Sequence, residues 1–186
     1  MAIQKETLEK SINTTKSSLS GLIQSLDMFV FPEATIKTFQ VSNLDIEDIV
    51  SDIPIGSNEE DFIYVIKVVG QNKNNREFYR QLEKEKERQK EQQLKKDLPR
   101  LNEQHRGSQY LYVGRSHKLR SRIRQHLSDR YEGTYALHMM RWAKCVKENV
   151  ELQYFCLKDQ DNLLVQAVED SLWSELKPAF GRKGDK

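Results

Sequence analysis

Apolar and polar positions change period several times along the chain, and each change marks an element. Residues 4 to about 30 follow the pattern of an amphipathic helix interrupted by Ser, Thr and Gly21, which should pack on the core and stop before Pro32. From 41 to 61, Leu44, Ile46, Ile49, Val50, Ile53 and Ile55 alternate with acidic residues and run into Pro54, Gly56 and Ser57, so a short helix and then a loop are expected. Residues 61–69, DFIYVIKVV, alternate too little for a strand with one wet face and predict a central strand covered on both sides.

Residues 71–106 break this rhythm. After QNKNN the segment is dominated by Glu, Lys, Gln and Arg, with no apolar residue between Leu82 and Leu94. A helix that polar has little to bury, so the expectation is a solvated helix or helical hairpin. Its ends, Phe78, Tyr79 and Leu82 on one side and Leu94, Leu98 and Leu101 on the other, dock while its middle stands in water. Strand pattern returns at 110–115, YLYVGR. Ser116 is then placed to cap a helix from His117 with Leu119, Ile123 and Leu127 on its apolar stripe. A helix over about 134–148, a strand over 149–157 and a last helix over 162–176, before Pro178, complete the pattern. The fold class is α+β, with a small, mainly antiparallel three-stranded sheet flanked by helices. Residues 1–60 form a helical, acidic appendage, and 61–186 form the core domain, interrupted by a charged helical insertion at about 71–107.

Composition narrows the class. The chain has 186 residues, 37% hydrophobic and 31% charged, which suits one soluble domain with decorations. It contains no run of roughly 20 apolar residues and no basic start followed by a short apolar stretch, so a cytoplasmic protein with no membrane partner is expected. Cys145 and Cys156 lack zinc-site spacing and read as small core residues. The net charge of +2 hides an asymmetry: residues 1–61 carry 4 basic and 11 acidic side chains, and the remainder carries 26 and 17. A basic body behind an acidic leader makes nucleic acid the first partner to consider.

Candidate chemistry begins on the last helix. At about 100° per residue, Val165, Val168, Leu172, Trp173 and Leu176 share one arc, and Glu169 falls inside it. A carboxylate on an apolar stripe costs several kcal/mol to desolvate unless it is paired or holds a cation. An ion pair at the stripe's edge would satisfy it equally. On the helix after the second strand, Arg122 and His126 stand one turn apart and can address the same place. A guanidinium suits phosphate oxygens, and an imidazole can take a proton near neutral pH. A basic helix that simply faces solvent is the competing reading.

Together these positions resemble the GIY-YIG nuclease superfamily. Phe62, Ile63 and Tyr64 stand where its first triplet belongs, and Tyr112, Val113 and Gly114 form the second. Arg115, Arg122 and His126 follow Tyr112 at the family's spacing, and Glu169 precedes Lys177, Pro178 and Phe180 as the family glutamate precedes its Lys-Pro-aromatic turn. The likeness covers residues 61–69 and 109–181. It departs in three respects: Phe62 replaces a glycine, Gly181 stands where many members have asparagine, and 47 residues separate the triplets instead of about a dozen.

The resemblance implies a metal-dependent endonuclease acting on DNA, expected to be double-stranded. It assigns one Mg²⁺ or Mn²⁺ to Glu169 and phosphate oxygens. Tyr64 orients or deprotonates the attacking water, with His126 either assisting as base or holding Tyr64, and Tyr112 and Arg122 contact the scissile phosphate. Arg115, Lys118, Arg120 and Arg124 are the expected DNA contacts. The leading role is restriction of foreign DNA, followed by structure-selective repair or recombination. A decayed nucleic-acid-binding protein or a docking protein built around the insertion would belong to other classes. Oligomeric state stays open, a homodimer included.

Overall fold

The computed structural model describes residues 4–30, 32–70, 75–129 and 134–184; the QNKN opening of the predicted insertion lies outside them. The elements are α1 (Lys5–Asp27), β1 (Thr35–Gln40), α2 (Ile46–Ser51), β2 (Glu60–Val69), α3 (Arg76–Glu91), β3 (Tyr110–Ser116), α4 (Leu119–Leu127), α5 (Met139–Trp142), β4 (Asn149–Lys158) and α6 (Asn162–Leu176).

The fold is α+β, around one antiparallel sheet of four strands in the order β1-β4-β2-β3. As its unbroken apolar run requires, β2 is central, with β4 on one side and β3 on the other. Phe62, Tyr64, Ile66 and Val68 enter the main core, while Ile63 faces a smaller cluster with Leu157 and Val165 under α6. Alternation of side chains along the strand thus divides β2 between an α4 face and an α6 face.

The sequence pattern predicts three strands, and the fourth comes from the expected appendage. Residues 35–40 pair along β4 from Thr35↔Tyr154 to Gln40↔Asn149 and cover what would otherwise be an open edge. Val41, Ile49, Val50 and Ile53 follow directly into the core. Each is worth about 1.5–3 kcal/mol of burial before entropy, so this stretch is part of the fold. The preceding helix, α1, has no buried residue.

The insertion departs from expectation in a similar way. In α3, Phe78, Tyr79, Leu82, Glu85 and Gln89 are all buried, so the helix has an inner face along its length. The polar half of that face is neutralised by tertiary partners. Glu85 pairs with Arg88 at 2.6 Å and with Arg141 at 3.0 Å, Arg141 reaches Asp97 at 2.8 Å, and Gln89 donates to Asp97 at 2.7 Å. The predicted helix over 134–148 shrinks to α5 because its leading backbone groups go elsewhere. Ala136 N–H donates to Asp97, Leu137 N–H to His126, and Trp142 Nε1 to the Leu137 carbonyl, and His138 turns left-handed at φ 50°. Of the two cysteines, Cys156 is half-buried and packs against the main core, whereas Cys145 is exposed and not a core residue.

The chain closes beside β3. After α6, capped by Asp161 accepting from Leu163 N–H, Lys177 adopts φ 49° and Pro178 ends the helix. Ala179 and Phe180 then donate to the carbonyls of Tyr110 and Leu111 on the outer edge of β3, and Gly181 donates to that of Arg100. Asn102 of the insertion bonds the Pro178 carbonyl at 2.9 Å.

Candidate active site

The two tyrosines come from neighbouring strands and one face. Tyr64 pairs with Gly114 and Ile66 with Tyr112, so both rings project toward α4 and stack with centroids 6.1 Å apart at 16°. Gly114 has a steric reason: a Cβ there would lie 2.7 Å from Tyr112 Cε1 and 2.7 Å from the Tyr64 hydroxyl. Gly181, at φ 94°, closes the other side, where a Cβ would meet Tyr112 Cε2 at 2.8 Å. The position where the family pattern has asparagine is therefore one where backbone conformation and the Tyr112 ring both favour glycine.

From α4, Arg122 and His126 reach the tyrosine hydroxyls. Arg122 Nε donates to Tyr64 Oη at 3.3 Å, Nη2 approaches Tyr112 Oη at 3.4 Å, and Nη1 donates to Gln125 at 3.0 Å. Helix spacing supplies this convergence, since Arg122 and His126 are one turn apart.

Of the two roles expected of His126, its surroundings fit the holding of Tyr64. It is fully buried, and Leu137 N–H donates to its Nδ1 at 3.1 Å. A neutral ring must then carry its proton on Nε2, which lies 2.9 Å from Tyr64 Oη and so donates to it. Burial, with the Arg122 charge adding, holds the His126 pKa well below its ordinary value. The imidazole is therefore a fixed hydrogen-bond donor to Tyr64, and not a proton acceptor poised near neutrality. Tyr64 is likewise wholly buried, and burial raises its pKa far above the ordinary phenol range. Burial thus favours its neutral hydroxyl, which bridges His126 and Arg122.

The carboxylate arrives from the opposite face. Arg115 pairs with Ile63, on the α6 side of the sheet, and its guanidinium donates to Asn162 Oδ1 at 2.7 Å and the Asn162 carbonyl at 3.2 Å. Its Nε stands 3.7 Å from Glu169 Oε2, and the Glu169 side chain is 16% exposed. Burial pushes the Glu169 carboxyl up to about 7; Arg115 opposes this, while Asp170 and Asp61 add to it. Arg115 and Tyr112 belong to the same strand, β3, so it carries one residue of each group, on opposite faces.

Tyr64, Tyr112, Arg122 and His126 thus form one cluster on the α4 face and Arg115 with Glu169 a pair on the α6 face, whereas three expected DNA contacts are engaged elsewhere. Arg120 donates to the carbonyls of Ile53 and Ser51, Lys118 to that of Gly56, and Arg124 pairs with Glu47 at 2.7 Å. Two residues along a helix are about 200° apart, so Arg120 and Arg124 cannot share the Arg122 face. They bind the acidic 45–56 segment to α4. The pattern reading placed Gly114 in the second triplet without its steric reason, and missed Asn162 and Asp61. Of these two only Asp61 had a signal, its alternation with Ile63 on the α6 side.

Among the described residues, no group of three or more His, Cys, Asp and Glu is placed to hold a metal ion. The donor set is compatible with a hard cation held by a single carboxylate and by substrate oxygens: Glu169 is half-buried and its charge is only partly offset by Arg115. Among the described residues no helix is long and apolar enough to cross a membrane. Comparisons with models of protein families, with curated proteins and with solved structures find no match to this chain.

Proposed function

We propose that this protein is a phosphodiester hydrolase of the GIY-YIG kind, acting as an endonuclease on double-stranded DNA. The observation that carries the proposal is the Arg122 guanidinium held against both tyrosine hydroxyls, at 3.3 and 3.4 Å, on a strand pair whose other face bears the half-buried carboxylate Glu169 beside Arg115. Arg122 is permanently charged and supplies hydrogen bonds to the oxygens of a phosphorane, and Tyr112 contacts the same phosphate. Tyr64, bridging His126 and Arg122, fixes the guanidinium. Glu169 would hold Mg²⁺ or Mn²⁺, which when bound polarises a phosphoryl oxygen and favours hydroxide over water. Arg115 holds Glu169 in place from the side and offers a further phosphate contact.

The test is nicking of supercoiled plasmid in the presence of Mg²⁺. Glu169→Ala should abolish it, and Arg122→Lys, which keeps the charge but loses the fork, should slow it about 100-fold or more. No cleavage of any DNA by pure wild-type protein would sink the enzymatic reading. It would leave a DNA-binding protein without catalysis, a second reading favoured by the complete burial of Tyr64. Restriction of foreign DNA is the leading role within the proposal, ahead of repair or recombination. Cleavage mapped on a random-sequence duplex library beside branched DNA separates them: a recurring site favours restriction, and a structural preference favours repair.

A further inference from the structure

The tail that follows α6 and the returning limb of the insertion enclose a groove of about 680 Å³, lined by Arg100, His105, Trp173, Gly181, Arg182 and Lys183 among others. Glu103 is its one acidic member. The cations of this groove differ from most of the other arginines. Arg80, Arg88, Arg106, Arg124 and Arg141 are each paired with a carboxylate. Arg100, Arg182 and Lys183 make no side-chain hydrogen bond or ion pair with the described residues. The Trp173 indole N–H likewise has no acceptor among them.

The groove also borders the site. Gly181 lines it, and the same residue lies so close to Tyr112 that a Cβ would approach the ring to 2.8 Å. Gly181 is thus common to the wall of the groove and the surroundings of Tyr112.

We propose that this groove is a second DNA contact, which holds one to two nucleotides of the substrate strand next to the scissile phosphate, with Arg100, Arg182 and Lys183 on its phosphates and Trp173 against a sugar or base. This rests on the nuclease reading for its substrate. Its volume is within the range of small-ligand sites, and unpaired cations beside an aromatic ring are the usual components of a nucleic-acid strand groove. It also gives the insertion a use: Arg100 and His105 reach the substrate only because the 47 residues between the two triplets bring them there.

The test uses the full chain and a fluorescent 20-base-pair duplex in EDTA, read by anisotropy against salt. Arg182→Ala/Lys183→Ala, near the chain end, should weaken binding about tenfold and lower the slope of log K against log salt by about two. Lys10→Ala/Lys16→Ala, which removes the same charge from α1, should change neither. Hydrolysis of bis(p-nitrophenyl) phosphate, too short to enter the groove, should proceed at the wild-type rate in both variants, while plasmid nicking falls only in the first. Unchanged affinity and slope in the groove variant, or an equal loss in the α1 variant, overturns the proposal. Nicking that is insensitive to the groove variant removes the groove alone, whereas groove-dependent binding without any hydrolysis removes the activity alone.

Discussion

Ionised Glu169 costs the fold stability, because burial pushes its carboxyl up to about 7 from 4.5. Between those values the folded chain holds a proton that the unfolded chain has released. Stability therefore falls as pH rises through this window and stays lower above it. Glu169→Gln should raise thermal stability at pH 8 by on the order of 2 kcal/mol, with little change at pH 4.5, while removing Mg²⁺-dependent nicking. In the wild type, nicking should decline as pH drops through about 7 at limiting Mg²⁺. A variant no more stable than wild type at pH 8 would refute the buried-carboxyl account. His126→Ala should cost about 3 kcal/mol in urea melts, because it strands the Leu137 N–H and removes the donor to Tyr64, both buried. Spacing alone made Arg122, His126 and Glu169 legible in the sequence. The protonation of His126 was not, since the group that decides it, Leu137 N–H, comes from a stretch whose pattern suggested helix.

At the level of elements, long runs with one period were readable: β2, β3, β4 and α6 lie where the alternation and the apolar stripe put them. Elements stabilised by distant partners were not. The strand β1 gains its place from the free edge of β4, and the inner face of α3 consists in part of Glu85 and Gln89, neutralised by Arg141 and Asp97. No local count of apolar residues can register a partner some fifty positions away. A contrast follows between two helices that both look amphipathic or polar in sequence. Deleting residues 1–27, none of whose described members within α1 is buried, should shift stability by no more than about 1 kcal/mol. Arg141→Ala should cost about 1–3 kcal/mol by removing the cation that Glu85 and Asp97 share, although Glu85 keeps Arg88 and Asp97 keeps Gln89. Guanidinium melts of the two proteins measure both.

Across the whole molecule, residues from β1 to Phe180 contribute to one main core, including Phe78, Tyr79, Leu82 and Leu98 of the insertion. Far-UV circular dichroism and the fluorescence of Trp142 and Trp173 should therefore follow a single unfolding transition. Excising residues 75–104 should yield a chain that does not fold; a cooperative melt of the excised protein, or separate transitions by the two probes in the full chain, would contradict a single core. Phe180 and Gly181 carry a consequence for how the protein is made. The ring of Tyr112 is closed in by Gly181, which lies far downstream of it in sequence, and the edge strand that bears it is completed by Ala179 and Phe180. Synthesis runs from the N-terminus, so this pocket assembles only after the residues through Gly181 have left the ribosome, long after both tyrosines have been made.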